Sequence, residues 1–105
     1  MSGRGITIAD VRARRREILR ILAARGAANP RVFGSVARGT ADDRSDVDLL
    51  VDLAEPRPRG FAYVGLINDL EEELAMLLGR PVHVTELRHP SPRFATAVLR
   101  DAVAL

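Results

Sequence analysis

The sequence predicts an α/β (α+β) two-layer domain, a small mixed sheet with helices packed on one side. Three observations lead there. Apolar spacing along the 105 residues switches between helical and period-two, in the order helix, strand, helix, strand, helix, strand, helix. Glycine and proline stand at the switches. Asp46 and Asp48 interrupt the apolar run Val47, Leu49, Leu50, Val51 with an alternation that a strand sorts onto two faces. At 47% hydrophobic and 29% charged residues the chain has an ordinary globular composition, read as a single domain over 1–105. A chain this long hides about two-thirds of its unfolded surface. It has no cysteine, which excludes disulfides, zinc–thiolate sites and thiol catalysis. No early apolar run suits a signal peptide or a membrane span, so the expected location is cytoplasmic, with no membrane partner. A net charge of +2 is too small to indicate a nucleic-acid binder, and direct nucleic-acid binding is not expected.

Taken in order, residues 1–5 are expected to be loose, as undocked termini are. Thr7 caps the first helix, with Asp10 as capping-box partner. Val11, Ile18, Leu19 and Leu22 recur at helical spacing, and Gly26 closes the helix after Arg25. Arg12, Arg14, Arg15, Arg16 and Arg20 form its polar surface, either a solvated face or a dock for an acidic partner or RNA. Asn29-Pro30 ends the connection, and the first strand starts at Arg31. Gly34 and Ser35 open a short helix to Arg38, and a polar loop at 39–44 follows, with Asp42 and Asp43 facing solvent. The second strand is Ser45–Asp52. Residues 55–60 (EPRPRG) form a loop whose Arg57 and Arg59 are open to a substrate or partner role. Val64, Ile67, Leu70, Leu74 and Leu77 mark a helix over 61–78, with Glu71, Glu72 and Glu73 on a solvated face. Gly79 closes it and Pro81 prevents its continuation. The third strand is Pro81–Thr85, with Val82 and Val84 inward and His83 outward. Ser91-Pro92 starts the last helix, on which Phe94, Ala97, Val98, Ala102 and Leu105 follow; His89 precedes it in a loop.

In the second strand Val47, Leu49 and Val51 face the core, and Asp46, Asp48 and Leu50 share the other face. Carboxylates two apart on a strand are roughly 6.5–7 Å apart at the backbone. Two charges at that distance repel by about 2.5 kcal/mol at an effective dielectric near 20. A divalent cation removes the repulsion, and Mg²⁺ takes one or two carboxylates plus substrate phosphates. The turn at Gly34-Ser35 can cradle a phosphate with backbone N–H groups and a hydroxyl, and Arg38 and Arg44 can add charge-assisted contacts.

Gly-Ser, ten intervening residues, then Asp-x-Asp resembles the signature of the polymerase-beta-type nucleotidyltransferase superfamily. The fuller GSVARG and SDVDLLV segments resemble its minimal branch, the small single-domain nucleotidyltransferases paired with HEPN-domain toxins. The resemblance runs from the arginine-rich first helix to LRDAV near the C-terminus. It implies a minimal polymerase-beta-like core and a Mg²⁺-dependent transfer of AMP from ATP, with pyrophosphate released. It makes Asp46 and Asp48 catalytic metal ligands and Gly34, Ser35 and Arg38 the phosphate-binding residues. The implied acceptor is a hydroxyl, in the first instance a tyrosine's, on a partner HEPN ribonuclease toxin, which would make the chain an antitoxin. The chain departs from the family in one place. A third carboxylate commonly comes from the third strand, as a metal ligand or as the base; here His83 stands there. A neutral imidazole can bind a metal or accept a proton, but it supplies no hard, negative oxygen. Glu86, three residues on, would face the opposite side. Three readings therefore stay open: an adenylyltransferase using Asp46, Asp48 and His83; an antitoxin that works by binding alone; and an RNA-binding module built on the arginine helix.

Overall fold

A computed structural model describes residues 5–86 and 92–105. Its elements run α1 (Ile8–Arg12), α2 (Arg15–Ala24), β1 (Ala27–Phe33), α3 (Gly34–Arg38), β2 (Val47–Leu53), α4 (Phe61–Leu78), β3 (Val82–Glu86), α5 (Pro92–Asp101) and β4 (Val103–Ala104). The sheet order is β3-β2-β1-β4. β1 pairs antiparallel with both β2 and β4, while β2 and β3 are parallel, so the sheet is mixed.

The expected first helix is two. Thr7 caps α1 with both halves of the capping box present. The turn at Ala13-Arg14 then tightens, with Arg14 N–H donating to Val11 O three residues back at 3.0 Å. Alanine and arginine are good helix formers, so propensity could not reveal the break. Val11, Ile18 and Leu22 still point one way and are fully buried. They pack in one cluster with Val32, Val36, Val47, Leu49, Val51, Leu70, Leu74, Val82 and Val84. Val47, Leu49 and Val51 are thus on the core side, as their alternation predicts. Leu50, on the aspartate face, is fully buried as well and stands outside that cluster. The second face is therefore closed over Leu50.

β1 begins four residues earlier than Asn29-Pro30 suggests. The register shifts between Ala28 and Arg31, which makes a bulge of the Asn-Pro pair. A bulge is one of the few places in a sheet that tolerates proline, and Asn29 takes a positive φ of 57° there. Asp52 staples the bulge from β2, accepting from Asn29 Nδ2 at 2.9 Å and Arg31 Nη2 at 2.7 Å.

The tail also differs. Residues 103–104 form β4 rather than continuing the last helix, pairing with β1 through Arg31–Ala104 and Val32–Val103. Arg12 Nη2 and Arg15 Nε donate to Ala104 O and Leu105 O at 2.8 and 3.0 Å. Two arginines of the expected solvated face are thus tied to the tail. Val98 on α5 is buried; the side chains of Phe94 and Ala97, and residues Ser91 and His89, lie outside the described residues. So do residues 1–4, but Gly5 is buried rather than loose. A side chain there would collide with the Ala41 backbone.

On α4, Leu70 and Leu74 are buried, but Val64 is 53% exposed, so the predicted apolar stripe is covered only in its later turns. The three glutamates also part company. Glu73 and Asp69 pair with Arg25, and Glu71 Oε2 accepts the backbone N–H of Val84 on the edge strand β3 at 2.9 Å. Arg57 is likewise structural. Its Nη1 lies 3.0 Å from Oε2 of Glu86, whose side chain is only 4% exposed. Tyr63 Oη donates to the other oxygen of Glu86 at 3.3 Å. Among the described residues no helix is long and apolar enough to cross a membrane.

Candidate active site

The site forms where β1 ends and β2 begins. Phe33, in extended conformation, leads into Gly34, whose φ of 74° turns the chain into α3. A Cβ built on Gly34 would lie 2.5 Å from Asp48 Oδ2. Glycine is required there twice over, for the left-handed φ and for the close approach of backbone to carboxylate. Ser35 follows, half-buried, and its carbonyl accepts from Thr40 N at 2.9 Å to close α3.

A pinned loop delivers the aspartates. Asp42 Oδ1 accepts from Arg44 N at 2.9 Å and from Ser45 Oγ at 3.2 Å. These bonds hold its carboxyl below the ordinary aspartate range. Arg80 Nη1 ties the same loop by donating to the carbonyls of Asp42 and Ser45, each at 3.2 Å. Asp42 is thus a loop-ordering residue on the surface. Arg44 takes part through its backbone, and no described contact carries its side chain to the site.

Asp46, just before β2, and Asp48 within it are both half-buried. His83 sits opposite Asp48 in the parallel register, so period-two alternation on both strands puts all three on one face. His83 Nε2 lies 2.7 Å from Asp46 Oδ2. That hydrogen bond, reinforced by the charges of Asp46, Asp48 and Glu71, outweighs partial desolvation and raises the imidazole's pKa. Burial, with the Asp46 charge, pushes the Asp48 carboxyl above its ordinary range, against the pull of His83 and Arg38. The repulsion expected from the sequence is thus partly offset by an imidazole inclined to be cationic. Glu86 extends from the opposite face into its bond with Tyr63 and is no substitute for a third carboxylate.

Arg38 closes the site's other side. Its Nη1 donates to Asp101 Oδ2 on α5 at 3.0 Å. Sequence reading misses Asp101, although it carries a signal. An acidic residue in the last turn of a helix opposes the helix dipole and calls for a partner elsewhere.

Asp46 and Asp48 suit a hard cation, offering carboxylate oxygens side by side, one of them held above its ordinary pKa chiefly by burial. Among the described residues no three acidic, histidine or cysteine side chains form a ready-made metal cluster. Two protein carboxylates, completed by phosphates and water, is the coordination Mg²⁺ accepts.

Residues 15–103 match the family model described as the nucleotidyltransferase domain. The protein adenylyltransferase MntA of Thermococcus cleftensis is 40% identical over 72 residues, 69% of this chain and 68% of the relative. A solved structure of a candidate minimal nucleotidyltransferase is 40% identical, with a TM-score of 0.76 over 95% of this chain and 97% of the other. A mutant of the toxin–antitoxin complex MntA–HpeT contains a chain 25% identical, with a TM-score of 0.66 over 87% and 70% of the two chains.

Proposed function

Because the chain belongs to the nucleotidyltransferase domain family, we propose that it transfers AMP from ATP to a hydroxyl, in the first instance a tyrosine's, of a partner HEPN ribonuclease toxin, and so acts as that toxin's antitoxin. Two relatives support the direction of the transfer: one is named a protein adenylyltransferase, the other is part of a toxin–antitoxin complex. The observation that carries the reading is the meeting of the Gly34 backbone with Asp48 Oδ2, beside Asp46 on the same face.

Asp46 and Asp48 hold Mg²⁺ in this reading. When bound, the ion supplies positive charge to the phosphates and to the leaving pyrophosphate. Gly34 and Ser35 bind the terminal phosphates, and Arg38 neutralises them. The acceptor oxygen forms its bond to the α-phosphorus as the bond from that phosphorus to the pyrophosphate oxygen breaks. His83 in its neutral form takes the hydroxyl proton through Nδ1, since Nε2–H donates to Asp46 Oδ2. Residues 1–105 act in this reading as one catalytic domain.

A second reading, an antitoxin that works by binding alone, draws on one specific observation. His83 engages Asp46 Oδ2 at 2.7 Å, an oxygen that a metal would need. The deciding experiment mixes the protein with Mg²⁺, its adjacent gene product and ATP labelled at the α-phosphate. The Asp46→Asn/Asp48→Asn double variant is the control. Label on the partner, lost with the variant, supports the adenylyltransferase. No label, with a stable complex between the two proteins, refutes it in favour of binding alone.

A further inference from the structure

We infer that Asp101 is a positioning residue for the nucleotide, holding the Arg38 guanidinium at the mouth of the phosphate site. The inference rests on the reading above in that Arg38 meets the phosphates; nothing in that reading involves Asp101.

Three observations carry it. Asp101 takes only one guanidinium nitrogen, Nη1, at 3.0 Å. The guanidinium is a rigid planar fork of five donors, so a contact at one nitrogen tethers the group and leaves the rest of the fork to a second oxyanion. The two side chains also differ in exposure, with 51% for Arg38 and 25% for Asp101. The carboxylate is the packed anchor and the guanidinium the presented head. Finally, both partners hang from one strand. β1 runs directly into Gly34 and α3, which carries Arg38. β1 also pairs with β4, which begins two residues after Asp101. Arg12 and Arg15 secure that tail from α1 and α2. The pair is therefore set by a strand ladder rather than by two side chains meeting on an open surface.

Two effects of removing Asp101 oppose each other. Loss of a competing anion would tighten phosphate binding, by at most about fivefold for an exposed pair. Release of the long arginine side chain weakens it by about three- to tenfold, because its ordering then falls on the binding step. The packed anchor and the ladder tip the balance to the second effect.

The test compares Asp101→Asn, Asp101→Glu, Arg38→Ala and the Arg38→Ala/Asp101→Asn pair. ATP affinity is measured by calorimetry, KM and kcat by transfer to the partner, and folding by thermal melts. Asp101→Asn should weaken ATP binding and raise KM about three- to tenfold, with kcat within about twofold. Asp101→Glu should restore most of the affinity, and the pair should be no worse than Arg38→Ala alone. ATP binding by Asp101→Asn that equals or exceeds the parent's, while Arg38→Ala is weakened, overturns the inference and leaves the proposed function standing. Full ATP affinity in Arg38→Ala instead removes the phosphate role assigned to Arg38, and this inference with it.

Discussion

Replacing Gly34 with alanine separates stability from chemistry at the heart of the site. The new Cβ would stand 2.5 Å from Asp48 Oδ2, where about 3.4 Å or more is ordinary contact. Something must move by nearly an ångström, and the carboxylate tip is the softest neighbour. The backbone cost is separate. Holding alanine at a φ of 74° costs about 1–2 kcal/mol. In a domain of this size each kcal/mol lowers Tm by about 4–8 °C. Gly79 offers a matched control, since its φ is 72° and nothing lies within 4 Å of its Cβ position. Gly79→Ala should lose similar stability and keep its transfer activity, measured with α-labelled ATP well below either melting temperature. Gly34→Ala should lose about 100-fold in transfer, the scale that a misplacement of 1 Å brings. If Gly34→Ala transfers AMP within about threefold of the parent, the placement of Asp48 against this turn is not what the reaction depends on.

Other expectations follow from the same geometry. Asp48→Asn should raise Tm in the absence of metal at neutral pH, because the fold disfavours this carboxylate's charge, while abolishing transfer; a lowered Tm counts against that account. His83 has a raised folded pKa, so its stabilising contribution is fully present below its unfolded pKa and is lost as pH rises through the folded value. The stability gap between the parent and His83→Gln, from urea midpoints, should therefore be larger at pH 5.5 than at pH 8.5. Magnesium with ATP should raise the Tm of the parent but not of Asp46→Asn/Asp48→Asn, as seen in thermal melts. Leu49→Ala, at a fully buried position in the central strand pair, should cost about 2–5 kcal/mol by urea denaturation.

The parts of the molecule legible in the sequence are those set by local periodicity. Alternation in 45–52 and 81–85 is enough to put Asp46, Asp48 and His83 on one face, and Glu86 opposite, because period two admits no other sorting. Gly34 was legible as a turn, but not as the residue pressed against Asp48, which depends on where β2 lies beside β1. What escaped depends on long-range partners. Asn29-Pro30 reads as a loop until Asp52 staples it into a bulge. The tail reads as helix until β1 offers Val103 and Ala104 an edge. Arg38 finds Asp101 across 63 residues, and Glu71 reads as one of three solvated acids until the Val84 amide is set before it.

That last contact bears on how the molecule can associate. An edge strand with unanswered amides is a template on which a foreign strand can grow, whether a partner's segment or a misfolded copy of the same chain. Here the central amide of that margin is already taken by a carboxylate from the protein's own long helix. The carboxylate carries a charge that an incoming backbone would have to displace and leave unsolvated. Sheet extension across this border is thereby discouraged. The acid that reads as mere solubilising surface works as a guard against polymerisation.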